Sequence, residues 1–329
     1  MGGQEYDKSI GAKVLRRWFR GDCHVHSVHS DGALTVQQIS VQARSLGLDF
    51  LATTDHNTAA AHQPWLDHAD DSELLVILGE EVTTQDGHWL ALGIANGQVI
   101  DWRYEAADDV IDRHLDHVHQ SGGICIVAHP HAPYQSGTFR YPYDGFDAVE
   151  VWNGAWTSTM PWQADNEAAL LHWVGRLNAV VPGGRWQPMI GNSDTHLDGQ
   201  IGAPHTVVAS ERLDVEAIMT GIRTGRCWIA AEPTVDISFT ASTRGRSAGI
   251  GDRLDTGDSP FLVSAKVAGV PSGFVRLYTE QGETRSATMP SSGVGQLEWT
   301  VSEPAAFVRL EVRTFGGDMA ALTNPIFLA

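Results

Sequence analysis

From residue 18 to about residue 232, short apolar runs alternate with stretches whose apolar residues recur at helical spacing. Residues 18–26 read as a first strand. Thr35 reads as the N-cap of a helix carrying Val36, Ile39, Ala43 and Leu46 on one face, with Gly47 as its stop. Further strands are predicted at 50–55, 74–82, 89–95, 123–129, 146–152 and 189–194, and helices near 108–120 and at 166–179. Val207 and Val208, a helix near 214–224 and the run 227–231 finish this unit. Strand followed by helix, repeated, predicts an α/β arrangement with mostly parallel strands.

Beyond Pro233 the pattern changes to period two. Residues 235–239, 261–265, 274–278, 297–301 and 307–312 alternate apolar and polar positions, with Gly, Ser, Thr and Pro between them. This predicts an all-β sandwich without helices. The organisation expected is an N-terminal extension over 1–17, an α/β unit over 18–232 and a β-sandwich over 233–329, with no internal repeat.

The 329 residues, 42% of them hydrophobic, suffice for a substantial core, and no apolar run approaches the roughly 20 residues that span a bilayer. The first twenty residues are basic but lack the apolar centre of a signal peptide, which leads us to expect a soluble, cytoplasmic protein without membrane association. Cys23, Cys125 and Cys227 are isolated in apolar surroundings and are expected to be free thiols. A net charge of −18 and the absence of a basic stripe argue against nucleic acid as a partner and leave a small-molecule substrate as the expectation. Oligomeric state is not legible.

Candidate chemistry lies at the ends of the predicted strands. His24 and His26 stand at alternate positions and can face one cation, with Asp31 in the following loop. Four later segments add ligand-type residues at comparable places: Asp55 with His56, Glu80 and Glu81 followed by His88, His129 before Pro130, and Asp194 with His196. The carboxyl ends of parallel strands converge on one crevice, so these residues are expected to meet there. Imidazoles and carboxylates without thiolates suit Zn²⁺, Mn²⁺ or Fe²⁺ with open water positions, which is hydrolytic chemistry. Asp22 and Asp55, next to ligand histidines, are read either as orienting an imidazole or as backbone caps. His114, His117 and His119 read as a solvated helix surface, and His131, His172 and His205 have no evident partners.

In order and spacing, His24-x-His26 with Ser30-Asp31-Gly32, Thr54-Asp55-His56-Asn57, Gly79-Glu80-Glu81-Val82-Thr83-Thr84 with Gly87-His88-Trp89, Ala128-His129-Pro130 and Ser193-Asp194-Thr195-His196 resemble the PHP (polymerase and histidinol phosphatase) superfamily, and within it the CehA/McbA-like branch. The resemblance covers residues 18–232; Ala320 to Pro325 resembles the β-domain tail of that branch. It implies a distorted seven-stranded (β/α) barrel holding two or three divalent metal ions. One ion would take His24, His26, a bridging Glu81 and Asp194. A second would take Glu81, His129 and His88, the last of which is alternatively a substrate contact; a third would take Asp31, His56 and His196. Glu81, Asp194 and His196 are the implied catalytic residues.

For the substrate side, Asn153 at a strand end and the loop residues Trp156 and Trp162 are candidate contacts, the tryptophans as walls of an apolar pocket. Arg140 is the candidate anion contact, with Arg20 and Arg185 as the other cations near the motifs. The reaction expected is phosphoester cleavage by a metal-activated water. Carbamate or aryl-ester hydrolysis on the same site is the alternative, and a non-catalytic metal-stabilised barrel with a binding β-domain is the alternative of another class.

Overall fold

The computed structural model describes residues 16–69, 73–180, 185–257 and 259–329; of the N-terminal extension, residues 1–15 lie outside them. The chain is mixed α/β with a strongly curled sheet. Its first part contains β1 (Arg17–Asp22), α1 (Val36–Ser45), β2 (Phe50–Thr53), α2 (His62–Ala69), β3 (Leu75–Thr84), β4 (Gly87–Leu92), α3 (Ile111–Gln120), β5 (Ile124–Val127), β6 (Ala148–Asn153), α4 (Asn166–Val180), β7 (Met189–Asn192), β8 (His205–Ser210), α5 (Val215–Arg223) and β9 (Cys227–Ala230). The remainder is β10 (Asp236–Thr243), β11 (Arg246–Gly249), β12 (Arg253–Leu254), β13 (Phe261–Ala268), β14 (Phe274–Thr279), β15 (Gly282–Thr288), β16 (Gly295–Val301), β17 (Phe307–Arg313), β18 (Met319–Thr323) and β19 (Ile326–Leu328). No helix among the described residues is long and apolar enough to cross a membrane.

Local chemistry sets several boundaries. Thr35 caps α1 with a reciprocal box, its Oγ1 accepting from Gln38 N and Gln38 Oε1 accepting from Thr35 N. Gly47, at φ +74°, takes the left-handed turn that ends the helix. β2, β5 and β7 are buried along their whole length, as expected for strands covered on both faces. Of the later strands, β10 and β13 alternate buried and open positions, whereas β17, β18 and β19 are buried almost throughout.

The sheet runs β9-β8-β1-β2-β3-β4-β5-β6-β7. Two runs of parallel neighbours, β1-β2-β3 and β5-β6-β7, are interrupted by β4, which is antiparallel to both β3 and β5. β8 and β9 are also antiparallel to their neighbours. Most of these strands therefore run in one direction, as expected, but β4 and β8 run against it: β3 and β4 form a hairpin turning at Gly87, where a Cβ would lie 2.7 Å from Phe139 Cα. The curl brings β7 onto β8, where Gly191 N donates to Thr206 Oγ1 (3.1 Å) and Thr206 Oγ1 donates to Gly191 O (2.8 Å).

β18 pairs with β9 and with β17, so the ladder continues from the curled sheet into the later strands. β17 also pairs with β14 and β19. A second sheet, β11-β10-β13-β16, packs its apolar side chains against these: Phe239, Val263 and Val267 share one core with Leu277, Leu310 and Val312. The two β layers thus share a core, and one of them is hydrogen-bonded directly to the strand that ends the α/β part.

Candidate metal centre

β1 stops at Asp22, short of the expected boundary, and His24 and His26 lie in the segment beyond it. That segment remains extended: Val25 bridges Thr195, and His26 N donates to Thr195 O at 3.0 Å. Side chains two apart therefore still share a side. His56 follows β2, Glu81 lies near the end of β3, His129 follows β5 and Asp194 with His196 follows β7. Because β4 runs the other way, His88 reaches the same end from the beginning of its strand. His129 and Asp194 hold φ of +23° and +51°, a strained conformation for residues with a Cβ.

Four atoms form one cluster. His24 Nε2 lies 3.1 Å from Glu81 Oε2 and 3.2 Å from Asp194 Oδ1, and His26 Nε2 lies 3.2 and 3.0 Å from the same two oxygens. All four are buried and lack a hydrogen-bond partner among the described residues. Such groups are costly to bury unless something satisfies them. A regular tetrahedron with edges of about 3.2 Å has its centre about 2.0 Å from each corner, a typical Zn–N or Zn–O length. The residues fit a cation.

Glu81 Oε1 faces the other way, 2.9 Å from His88 Nδ1 and 3.0 Å from His129 Nε2, so the carboxylate is poised between two nests of nitrogen. A third group gathers His26, Asp31, His56 and His196. Here Asp31 Oδ1 lies 3.3 Å from His196 Nε2, and Asp31 Oδ2 lies 3.6 Å from His56 Nε2. All nine residues proposed as ligands from the sequence converge on this crevice, and His26 sits between the first and third groups.

The electrostatics agree with a cation-seeking site. Burial would raise the Glu81 carboxyl, but His56, His24 and His88 override it and hold it well below the usual carboxylate range. Asp194 behaves alike, burial being outweighed by His24 and His26. The hydrogen bond with His196 draws Asp31 down to about 2, while Asp31 and Asp194 lift His196 to about 9 against the effect of burial. Against the effect of burial, nearby carboxylates raise His24, His56, His129 and His196, whereas burial holds His88 down; a divalent ion would displace protons from the raised imidazoles.

Glu150, which the sequence did not single out, holds the ligands in place. Its Oε1 accepts from His24 Nδ1 (3.1 Å) and Asn192 Nδ2 (2.8 Å), and its Oε2 accepts from His129 N (2.9 Å) and Asn153 Nδ2 (3.1 Å). The bond to Nδ1–H leaves His24 Nε2 with its lone pair toward the cluster, a carboxylate–histidine arrangement typical of metal sites. His196 is fixed likewise, its Nδ1 donating to Asp194 O at 2.8 Å. Asp22 and Asp55 hold backbone rather than imidazoles. Asp22 accepts from His24 N, Ser193 N and Gly202 N, and burial lifts it to about 6. Asp55 accepts from Ser27 N, Ser27 Oγ and Ser30 Oγ, bracing the loop that carries Asp31.

The crevice has a volume of about 980 Å³ and is lined by Asn153 and Trp156 among others, with no Lys or Arg among the described lining residues. Asn153 Nδ2 also donates to Asp194 Oδ2 at 3.1 Å, orienting that ligand. Arg140 is corrected as a substrate contact. It pairs with Asp86 at 2.9 Å and does not line the crevice. Arg20 is committed to Val235 O and Asp236, and Arg185 to Asp147.

The other histidines acquire structural partners. His114 stacks on Tyr104 with ring centroids 4.3 Å apart and His205 Nδ1 donates to Gly202 O. His131 Nε2 and His172 Nδ1 lie 3.2 Å apart. His119 meets Asp147 near Cys125, but Asp147 is already shared with Arg185 and Arg223, and burial pushes the Cys125 thiol up, away from the thiolate a metal needs. Cys23 and Cys227 are likewise free and buried.

Residues 22–98 match the model of the PHP domain. Over 82 residues the chain is 35% identical to the phosphoribosyl 1,2-cyclic phosphate 1,2-diphosphodiesterase of Eggerthella lenta, a stretch that is 23% of this chain and 31% of that protein. The match thus spans under a third of that relative. Among solved structures, a two-domain protein from Bacteroides vulgatus containing a predicted PHP-like metal-dependent phosphoesterase is 17% identical, with a TM-score of 0.54 covering 98% of this chain and 100% of that one. An amidohydrolase from Chromobacterium violaceum, also 17% identical, covers 55% of this chain and 89% of its own at a TM-score of 0.39. The first of these structures shares its fold with this chain over both parts. The PHP-domain match itself contains His24, His26, Asp31, His56, Glu81 and His88.

Proposed function

We propose that this chain is a metal-dependent hydrolase of PHP type, of the CehA/McbA-like branch, that cleaves a phosphoester at a seven-stranded barrel holding two or three Zn²⁺, Mn²⁺ or Fe²⁺ ions. The observation that carries the reading is the set of buried, unpartnered ligand atoms on His24, His26, Glu81 and Asp194 converging in one crevice. The resemblance to a curated phosphodiesterase over 82 residues favours phosphorus as the reacting centre.

Bound divalent ions would acidify a water toward neutral pH and neutralise charge on the oxyanion. The chain's own residues set up that chemistry. His24, His26 and Asp194 would hold one ion, His88 and His129 a second, with Glu81 shared between them; Asp31, His56 and His196 would hold a third. Asn153 steers Asp194 by occupying its Oδ2, which leaves Oδ1 for the ion. Tyr134 also lines the crevice; burial, followed by the charges of Glu81 and Asp194, raises its hydroxyl pKa, so it stays protonated and can donate to substrate.

A second reading, carbamate or aryl-ester hydrolysis, has its own support. The crevice lining offers no cationic side chain among the described residues, whereas Trp162, Met160 and Leu197 stand exposed at its rim. An uncharged substrate with an apolar leaving group suits such walls.

The test is metal analysis with a hydrolysis panel of phosphomonoesters, phosphodiesters, aryl esters and 1-naphthyl carbamates. His24→Ala and Asp194→Ala should each lower bound metal and abolish turnover. Full metal content and full rate in either variant would refute the site assignment, and no turnover of any class by metal-loaded protein would favour a binding role.

A further inference from the structure

The β17–β18 hairpin reaches into the crevice. Asp318, in its turn, and Met319, at the start of β18, line the cavity together with Trp156. Thr157 Oγ1 donates to Asp318 Oδ1 at 2.7 Å. Met319 shares a buried core with Trp152 and Trp156, whose rings meet edge to face at 5.0 Å.

Arg313, the last residue of β17, does not line the cavity but is tied to Trp156 twice. Its Nη1 donates to Glu167 Oε1 at 2.7 Å and its Nη2 to Glu167 Oε2 at 3.2 Å, a two-pronged pair. The same Oε1 accepts from Trp156 Nε1 at 2.9 Å. The Arg313 guanidinium carbon also lies 5.5 Å from the Trp156 ring centroid. Glu167 belongs to the first turn of α4, which the Asn166 side chain fastens to the loop through Asn153 O and Ala155 O.

We propose that Arg313 is a positioning residue for substrate selection: acting through Glu167, it holds the Trp156 indole as a crevice wall that receives a flat, apolar leaving group. The proposal deepens the hydrolase reading and rests on it. A half-exposed ion pair contributes little stability by itself. A forked guanidinium contact does fix orientation, and with the indole N–H bonded to the same carboxylate the Trp156 ring is left one resting position. The C-terminal strands thereby become part of the substrate site, with the metal ligands supplied elsewhere.

The test uses metal-loaded full-length protein and two matched pairs of probes: 1-naphthyl and methyl phosphate, and 1-naphthyl and methyl acetate. Arg313→Gln should raise KM for the naphthyl member that is turned over by about tenfold, the worth of one well-placed aromatic contact. Its kcat, its kcat/KM for the methyl member and its metal content should stay within about twofold of wild type. Arg313→Lys should recover part of the loss, and Trp156→Leu should reproduce its selectivity. Equal effects on naphthyl and methyl substrates, or no effect on either, would overturn the proposal. If metal-loaded wild type turns over none of the four, calorimetric binding of 1-naphthyl phosphate decides the brace, and the hydrolase reading fails only if the phosphodiesters and carbamates of the wider panel are also left intact. A loss of affinity near tenfold in Arg313→Gln then supports it, and unchanged affinity overturns it.

Discussion

Replacing Glu150 by Gln tests whether the residue behind the ligands matters as much as the geometry implies. Oε1 accepts from His24 Nδ1 and Asn192 Nδ2, and Oε2 accepts from His129 N and Asn153 Nδ2 and lies 3.3 Å from the same His24 Nδ1. Whichever way a glutamine amide is turned, its NH2 faces two donors. Two buried bonds to a charged acceptor are lost, each worth roughly 1.5–3 kcal/mol, against a total stability of order 5–15 kcal/mol. His24 Nδ1–H would be left with a neutral amide in place of a carboxylate, and weakening such a partner behind a ligand costs about 10–100-fold in metal affinity. Glu150→Gln should therefore melt at lower temperature, bind metal that much more weakly and regain turnover when metal is added in proportionate excess. Metal titration with far-UV circular dichroism checks both effects. A variant with wild-type metal affinity would refute the claim that Glu150 orients the ligands.

Two further outcomes follow from residues outside the cluster. Burial holds the folded pKa of His205 down at about 4, and its neutral form suits the site, since Nδ1 donates to Gly202 O while Nε2 lies 2.9 Å from Arg20 Nη1. An imidazole depressed below its unfolded pKa of about 6.5 leaves the unfolded state binding more protons, so stability should fall by up to about 3 kcal/mol as pH drops from about 6.5 toward 4; melting curves against pH should show this slope flattened in His205→Gln, and an unchanged slope would exclude His205 as its source. Arg140→Ala should leave kcat/KM within about twofold of wild type, because its contact with Asp86 is a surface ion pair worth at most about 1 kcal/mol; a large loss in steady-state assays would return Arg140 to the substrate site.

The ligands were legible because each is a histidine or carboxylate placed just beyond, or near the end of, an apolar run, and such ends converge whatever the details of the sheet. The direction of one strand was legible too, though the repeat of strand followed by helix concealed it. Asp86-Gly87 between two apolar runs is a hairpin signal, and it reverses β4, so that His88 meets the site from the start of its strand. α2 escaped notice because Pro64 and several polar residues mask a helix whose fully buried anchor is Trp65. β15 is largely polar and half exposed, and carries no apolar alternation to read.

Glu150 marks a different kind of limit, because the sequence around it did contain a signal. It stands within Ala148–Asn153, a strand buried at every position. A carboxylate in the middle of such a run cannot face water and must be met by donors from other elements. Which donors these are depends on β5 and β7 lying on either side of β6 in the sheet, an arrangement no local pattern encodes. The same holds for Arg313, whose alternating strand gives no hint that its partners are Glu167 and Trp156, some 150 residues earlier. Residues that contact a metal must be of a few types and so announce themselves. Residues that hold those ligands, or the wall beside them, can be of many types and are recognised by what the fold places around them.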